Sequence, residues 1–220
     1  MTTPTTIPEF TATIDNVDTL SELYRPPSEV VQNKDTVVLD QGCRDFIAQS
    51  TFVVVGTSNT DGQLDTSPRG GPAGFVKVID EHRLVIPDLN GNNRLDTIRN
   101  IIEQGQVALL FIIPGLGETL RVNGTACITT DDAVLDLFTD ELRRPKTAIG
   151  VTLDHGFIHC AKAFRRGGLW EPTEWPAAAA RPSPGQMLVD HAELDGVSGA
   201  DIDSRLNAGY EADLAQDLPE

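Results

Sequence analysis

The sequence predicts an α+β protein built on an antiparallel sheet of six or seven strands. Short runs of β-branched and apolar residues recur along the chain, and turn residues such as Asn59-Thr60-Asp61-Gly62 separate several of them. This spacing is typical of β-hairpins. Short amphipathic segments lie at the joins between hairpins, which favours the α+β class over an all-β one.

The strand signals follow one another through the middle of the chain. The clearest runs are residues 51–57, 64–67, 74–79, 83–86, 107–113 and 120–130. Residues 147–153 and 157–160 also have strand character, the first less clearly. A sheet that curls into a barrel removes its exposed edges, so we expect a barrel-like closure of these strands.

Four segments have the pattern of short helices. Each begins at a residue able to cap a helix N-terminus, and the apolar residues of the longer ones recur at helical spacing. The expected helices are a short one capped by Asp18 and stopped by Pro26-Pro27, one beginning after Asp40, one over residues 92–103, and one from Asp131 to Phe138.

Composition narrows the classes of function. The chain has 220 residues and a net charge of −16, which argues against non-specific nucleic-acid binding and against an anionic membrane surface. The longest apolar run, residues 107–114, is too short to span a bilayer, and the first ten residues lack a signal-peptide pattern. Three cysteines without a CxxC spacing suit a reducing compartment, so we expect a cytoplasmic protein.

Composition also divides the chain into three parts. Residues 1–39 form an expected N-terminal arm with a short helix, and residues 40–170 contain the strands and the candidate site. Residues 171–220 begin with a Pro/Ala-rich linker and continue as an acidic helical tail.

Residues 86–100 are the most informative segment for function. A strand leads through Pro87-Asp88 and a Gly/Asn loop directly into a helix, and a helix N-terminus offers free N–H donors and a positive dipole end. Arg94 in the expected first turn adds a planar cation, so the segment predicts an anion site, most simply for a phosphate. The alternative is that Asn92 only caps the helix and Arg94 is solvated.

Residues 65–74 contain a second candidate. Ser67 and Arg69 could add a hydroxyl and a guanidinium to the same anion, and the neighbouring glycines allow a ligand to approach the backbone. The alternative is an ordinary flexible loop. In the segment 118–124, Thr119 and Arg121 share one face of a strand and could line the rim of a ring-shaped ligand, or form a cross-strand salt bridge.

The segment 162–170 gathers cations beside an aromatic ring. Lys162 and Arg165 precede Trp170, which could stack on a ligand ring or belong to the core. His155, His159 and Cys160 have the chemistry of metal ligands, but an expected turn at Gly156 separates them, so we expect no metal site. The chain also lacks a phosphate-binding P-loop and a nucleophile-elbow motif.

Taken in order, four stretches resemble the pyridoxamine 5′-phosphate oxidase superfamily, and most closely its FMN-binding relatives. They are TFVVVGTSNTDGQLDTSPRG, GFVKVIDEHRLVIPDLNGNNRLDTIRNI, VALLFIIPGLGETLRVNGTACIT and HCAKAFRRGGLW, and the resemblance covers residues 40 to 170. It implies an FMN-binding split barrel and a homodimer with the flavin at the subunit interface.

The resemblance also implies roles for individual residues. Asn92, Asn93 and Arg94 would hold the FMN phosphate, and Ser67 and Arg69 stand where the family has a phosphate-contacting basic strand, although its usual pattern of Arg and Lys is absent here. The resemblance implies three further groups of flavin contacts. Pro87 and Asp88 would lie along the isoalloxazine through their backbone, and Thr119 and Arg121 would reach the ring or its ribityl chain. Lys162, Arg165 and Trp170 would come from the neighbouring subunit.

The resemblance implies an FMN-dependent oxidoreductase that acts on a small organic substrate. The oxidase's substrate motif, an Arg-x-His segment after a Trp, is not matched by GGLWEPTEWP, so oxidation of vitamin B6 compounds does not follow. Three alternatives remain: a deazaflavin-dependent reductase of the same fold, a non-catalytic flavin-binding protein, and an interaction protein with an empty barrel.

Overall fold

The computed structural model describes residues 10–219, so residues 1–9 of the expected arm, and Glu220, lie outside the described residues. The chain divides into two compact units, residues 1–34 and residues 35–220. In the described part of the first unit, a 3₁₀ turn at Val17–Thr19 leads into α1 (Leu20–Leu23), and α2 (Glu29–Gln32) follows. Asn16 caps this turn by accepting a hydrogen bond from the Asp18 N–H at 2.8 Å, so the expected cap at Asp18 is wrong by two residues.

The second unit contains a seven-stranded sheet in which every neighbouring pair is antiparallel. The strand order is β2-β1-β5-β6-β7-β4-β3. The sheet and its surrounding helices confirm the α+β class. The strands are β1 (Phe52–Ser58), β2 (Leu64–Gly70), β3 (Lys77–Val78), β4 (Arg83–Pro87), β5 (Gln106–Ile112), β6 (Thr119–Thr129) and β7 (Ala148–His159).

The last strand differs from the sequence prediction. Residues 147–153 and 157–160 were expected as two strands with a turn at Gly156, but β7 runs through Gly156 without a break. The strand stays paired with β6 because a bulge at Asn123/Gly124 absorbs the irregularity. Gly124 is required there, since a Cβ at this position would lie 2.0 Å from the Thr152 carbonyl oxygen.

Six α-helices accompany the sheet in the described part of this unit. Asp40 caps the first of them as predicted, since its carboxylate accepts from the Cys43 N–H at 2.9 Å. Asp131 caps another by accepting from the Ala133 N–H, again as predicted. The helices are α3 (Gln41–Gln49), α4 (Asp96–Gln104), α5 (Asp132–Leu135), α6 (Lys162–Arg166), α7 (Pro184–His191) and α8 (Gly199–Gln216).

The core lies between α3, α4 and one face of the sheet. Val53 and Val55 of β1, Phe111 of β5 and Ile101 of α4 are almost wholly buried there. Alternating burial along β1 follows from the two-residue period of a strand, and the apolar stripe of α4 from its helical period. Burying these side chains supplies most of the force that holds α4 against the sheet.

The acidic tail folds into a helical pair that contacts the rest of this unit. Asp203 of α8 accepts hydrogen bonds from the Ser183 hydroxyl at 2.6 Å and from the Gly185 N–H at 2.7 Å, which joins α8 to the start of α7. At the far end of α8, the Asp217 carbonyl accepts from the Arg143 N–H at 2.8 Å. Within the described residues, no helix is both long enough and apolar enough to cross a membrane.

Candidate functional site

A cleft of about 260 Å³ lies between β2, the loop after β4 and the start of α4. The structure brings together there two segments that are separated in sequence, residues 65–69 and residues 88–97. Six of the residues singled out from the sequence line this cleft: Ser67, Arg69, Asp88, Asn92, Asn93 and Arg94.

The polar wall of the cleft comes from the alternation of β2. Asp65, Ser67 and Arg69 occupy every second position and are half-buried, while the residues between them are exposed. In the antiparallel register, Ser67 lies opposite Val55 and Arg69 opposite Val53, two core residues of β1. These polar groups therefore sit on the core-facing side of β2, at the edge of the sheet, which excludes the flexible-loop alternative for residues 65–70.

Arg69 is the most constrained cation of the cleft. Its Nη1 donates to Asp88 Oδ1 at 2.7 Å, and both side chains are only about one fifth exposed. The Arg69 Nε is buried and has no hydrogen-bond partner. A buried donor without a partner is costly, so this atom calls for an acceptor that the described residues do not supply.

The loop after β4 does not form the helix start that the sequence predicted. Helix α4 begins at Asp96, four residues later than expected, and its N-cap position, Leu95, makes no side-chain cap. Asn92 instead accepts from the Arg94 N–H at 3.0 Å, and Asn93 takes a left-handed backbone conformation with φ of 58°. Asparagine tolerates this conformation better than most residues, which explains how the loop turns into the cleft.

Arg94 is exposed and paired with the first residue of α4. Its Nε donates to Asp96 Oδ2 at 2.6 Å, and the side chain is 81% exposed. The hydrogen bond to this carboxylate raises the pKa of Arg94 above its ordinary value. The guanidinium therefore lies at the mouth of the cleft with most of its surface open to a ligand.

Two side-chain hydrogen bonds, one part-buried and one buried, hold α4 against β2 and β1. The Thr97 hydroxyl donates to Asp65 Oδ2 at 2.6 Å, and the Asn100 amide donates to the Thr57 hydroxyl at 3.0 Å. Sequence reasoning missed Asp65, Thr97 and Asn100. Thr97 and Asn100 are polar residues on the otherwise apolar face of α4. This pattern could have identified them, because a buried polar side chain requires a hydrogen-bond partner.

The model of the pyridoxamine 5′-phosphate oxidase family matches residues 39–160. The chain belongs to this family. The seven-stranded antiparallel sheet is accordingly the family's split barrel, which confirms the fold predicted from the sequence.

Solved structures similar to this family member are distant in sequence. HupZ of Group A Streptococcus is 20% identical, with 54% of this chain and 91% of HupZ covered and a TM-score of 0.45. A putative pyridoxamine 5′-phosphate oxidase from Lactobacillus delbrueckii is also 20% identical, with 56% of this chain and 98% of that protein covered and a TM-score of 0.44. No match was found among curated proteins.

The oxidase-family cleft has donors that suit a phosphate but little net positive charge. Arg69 and Arg94 face three carboxylates, those of Asp65, Asp88 and Asp96. Each carboxylate already accepts a hydrogen bond. Thr97 donates to Asp65, Arg94 donates to Asp96, and Arg69 donates to Asp88. The cleft therefore offers hydrogen-bond donors to an anion without an excess of positive charge.

Pro87 and Asp88 lie where the strand gives way to the loop. Pro87 is buried, pairs with Ala148 of β7 and does not line the cleft. The Asp88 N–H donates to the Thr147 carbonyl at 3.0 Å. The backbone contact expected of these two residues toward a flavin ring can therefore come only from their carbonyls, because Pro87 has no N–H and that of Asp88 is engaged.

Thr119 and Arg121 lie on β6, outside the cleft. Thr119 is buried, whereas Arg121 is exposed and its Cζ lies 5.2 Å from the centre of the Phe157 ring. This is a cation–π contact with the neighbouring strand rather than the alternative of a cross-strand salt bridge.

Lys162, Arg165 and Trp170 also lie outside the cleft of their own chain. The two cations are exposed on the short helix α6. Trp170 donates its indole N–H to the Leu116 carbonyl at 2.8 Å and packs edge-on against Phe164. The ring is therefore fixed beside the β5–β6 turn and only half-buried.

Two of the three candidate metal residues lie on one strand, and Cys160 follows its end. His155 and His159 both lie on β7, and the Asn123 amide contacts His155 Nε2 at 3.0 Å. Residues 10–219 contain no cluster of three or more side chains able to hold a metal ion. The sequence predicted that a turn at Gly156 separates the two histidines. That prediction is wrong, because β7 is continuous through Gly156.

Proposed function

We propose that this member of the pyridoxamine 5′-phosphate oxidase family binds FMN and is an FMN-dependent oxidoreductase. The observation that carries the proposal is the buried, unpartnered Nε of Arg69, in a cleft that also contains Ser67 and Arg94. A flavin phosphate supplies an acceptor for this donor, and membership of the family supports a flavin as its source.

Each side chain of the cleft has a distinct part in this proposal. Arg69 donates its Nε to a phosphate oxygen while Asp88 keeps the guanidinium oriented. Arg94, held by Asp96 at the mouth of the cleft, closes over the phosphate from the solvent side. The side chains of Ser67, Asn92 and Asn93 supply hydrogen bonds to the phosphate without adding charge. Uncharged groups suit this site because its carboxylates limit how much negative charge a ligand can bring.

The other residues implied by the family resemblance lie outside this cleft. We propose that Lys162, Arg165 and Trp170 reach the flavin of a second copy in a homodimer, and that Thr119 and Arg121 of β6 contact the ring or its ribityl chain. FMN supplies the electron- and hydride-transfer chemistry when bound, and the protein binds and orients it. Arg121 beside the ring would favour the reduced, anionic flavin through its positive charge.

The substrate class is a small organic molecule. The C-terminal Arg-x-His motif that would hold a vitamin B6 phosphate is not matched after Trp170. We therefore propose an activity other than pyridoxamine phosphate oxidation for this chain.

An absorbance spectrum and mass spectrometry of the molecule released on denaturation test the proposal directly. We expect a yellow protein that releases FMN, and apo-protein that binds FMN more tightly than riboflavin, because the phosphate contacts are lost in riboflavin. Equal affinity for the two flavins would contradict the phosphate site. Tighter binding of a deazaflavin than of FMN would instead favour the deazaflavin-dependent reductase.

A further inference from the structure

A second cleft lies on the other side of the 88–93 loop. It has a volume of about 380 Å³ and shares Asp88, Leu89, Gly91 and Asn93 with the cleft already described. Its opposite wall is the segment Arg143-Arg144-Pro145-Lys146, which comes between α5 and β7. One loop therefore separates two polar clefts.

The segment 143–146 concentrates positive charge in a strongly acidic protein. Three of its four residues are cations, in a chain whose net charge is −16. Arg144 donates to Asp132 of α5 and, at 2.7 Å, to Asp136, which follows that helix. Arg143 and Lys146 are exposed and line the same cleft, so three cations lie along this wall and favour an anion there.

The chain places one of its own carboxylates in this cleft. Asp217 follows α8, and its carboxylate accepts a hydrogen bond from the Asn90 N–H at 3.4 Å. This distance is at the long limit for a hydrogen bond, so the contact is weak. Burial and the nearby Asp213 raise the pKa of Asp217, against the opposing effect of the Asn90 N–H. The carboxylate is therefore poorly stabilised where it lies.

We propose that this second cleft binds an anionic group of a ligand, a phosphate or a carboxylate. Arg143, Lys146 and the Asn90 N–H would provide the contacts, and the Asp217 carboxylate occupies the cleft until such a ligand displaces it. The exchange is favourable because a dianionic phosphate accepts shorter and stronger hydrogen bonds than the single long contact of Asp217.

The inference goes beyond the proposed function, because it requires no flavin. The shared loop does make the two clefts neighbours, so a ligand with two anionic groups could reach both. The test therefore uses an inorganic anion on the protein freed of any cofactor, and FMN binding is measured separately.

Calorimetric titration with inorganic pyrophosphate tests the site. We expect saturable binding that the Asp217→Ala variant strengthens and that the Arg143→Ala/Lys146→Ala double variant weakens by about tenfold, as for two partly exposed charge contacts. The control is Arg166→Ala/Arg181→Ala, which removes two exposed cations elsewhere and should leave the affinity unchanged. In NMR spectra, pyrophosphate should shift the backbone amide signals of Asn90 and Arg143.

Three results would overturn the inference: no saturable binding, equal weakening in the control variant, or an unchanged affinity in Asp217→Ala. Should that variant fold poorly, Asp217→Asn keeps the side-chain size, removes the charge and should also bind pyrophosphate more tightly. If the protein binds pyrophosphate but not FMN, only the proposed function is contradicted. If it binds FMN but not pyrophosphate, only this inference is contradicted.

Discussion

Arg69 and Asp88 form an ion pair of 2.7 Å that joins the edge strand β2 to the loop after β4. Both residues line the cleft together with the start of α4, and the buried Nε of the Arg69 guanidinium has no partner. The pair therefore links two walls of the cleft and holds the guanidinium beside it.

Removing the Asp88 charge should destabilise the protein in a way that FMN reverses. In Asp88→Asn, the mostly buried Arg69 loses its counter-charge, and we expect a cost of about 1–3 kcal/mol in the free energy of unfolding. Because a bound phosphate replaces the missing negative charge, FMN should raise the urea midpoint of this variant more than that of the unaltered protein. Equal shifts in both proteins would contradict a phosphate next to Arg69.

Removing Arg94 should weaken FMN binding without a large effect on folding. The side chain is 81% exposed, and its loss removes one charge-assisted phosphate contact of about 1.5–3 kcal/mol. We expect Arg94→Ala to lower the affinity for FMN by roughly ten- to a hundredfold in a fluorescence titration.

Arg83→Ala is the matched control for the Arg94 variant. Arg83 also pairs with a nearby aspartate, Asp80, on the surface, but it does not line the cleft. The affinity of the Arg83→Ala variant for FMN should equal that of the unaltered protein. An unchanged affinity in Arg94→Ala as well would rule out the phosphate contact.

Thr97→Val should loosen α4 from the sheet. The substitution keeps the side-chain shape but removes the hydroxyl that donates to Asp65 at 2.6 Å, at a cost of about 1–3 kcal/mol because the acceptor is charged. Chemical denaturation measures the loss, with the exposed Thr152→Val as control. A cost no larger than that of the control would show that the hydrogen bond contributes nothing to stability.

The three free cysteines should differ in reactivity. Burial, aided by Asp40, raises the pKa of the Cys43 thiol from 9.0 to about 11, whereas Cys127 and Cys160 are exposed. At pH 8, a thiol reagent should modify two cysteines in the native protein and all three after denaturation.

The raised pKa of Cys43 also determines how stability depends on pH. The thiol ionises more easily in the unfolded chain, so its contribution favours folding below pH 9 and falls as the pH rises toward 11. In Cys43→Ala this part of the pH dependence should be absent, and its persistence in the variant would assign the effect to another group.

The local elements could be predicted because their signals lie in adjacent residues. Asp40 and Asp131 are caps as expected, and the β-branched, apolar run over residues 51–57 corresponds to β1. Boundaries that depend on other segments were harder to predict. The strand β7 continues through Gly156 because pairing with β6 supports it, and no local pattern contains that information.

The sequence by itself determined the α+β class and the antiparallel strands, through apolar runs and turn chemistry, and its resemblance to a known family implied the split barrel. It also identified six residues of the cleft, because a loop leading into a helix and a polar strand end are local patterns. Only the tertiary structure decided which of these residues meet. The Arg69–Asp88 pair, the Thr97–Asp65 bond and the placement of Asp217 beside Asn90 all join segments distant in sequence. Their geometry arises from sheet register and helix packing, which depend on the whole core at once.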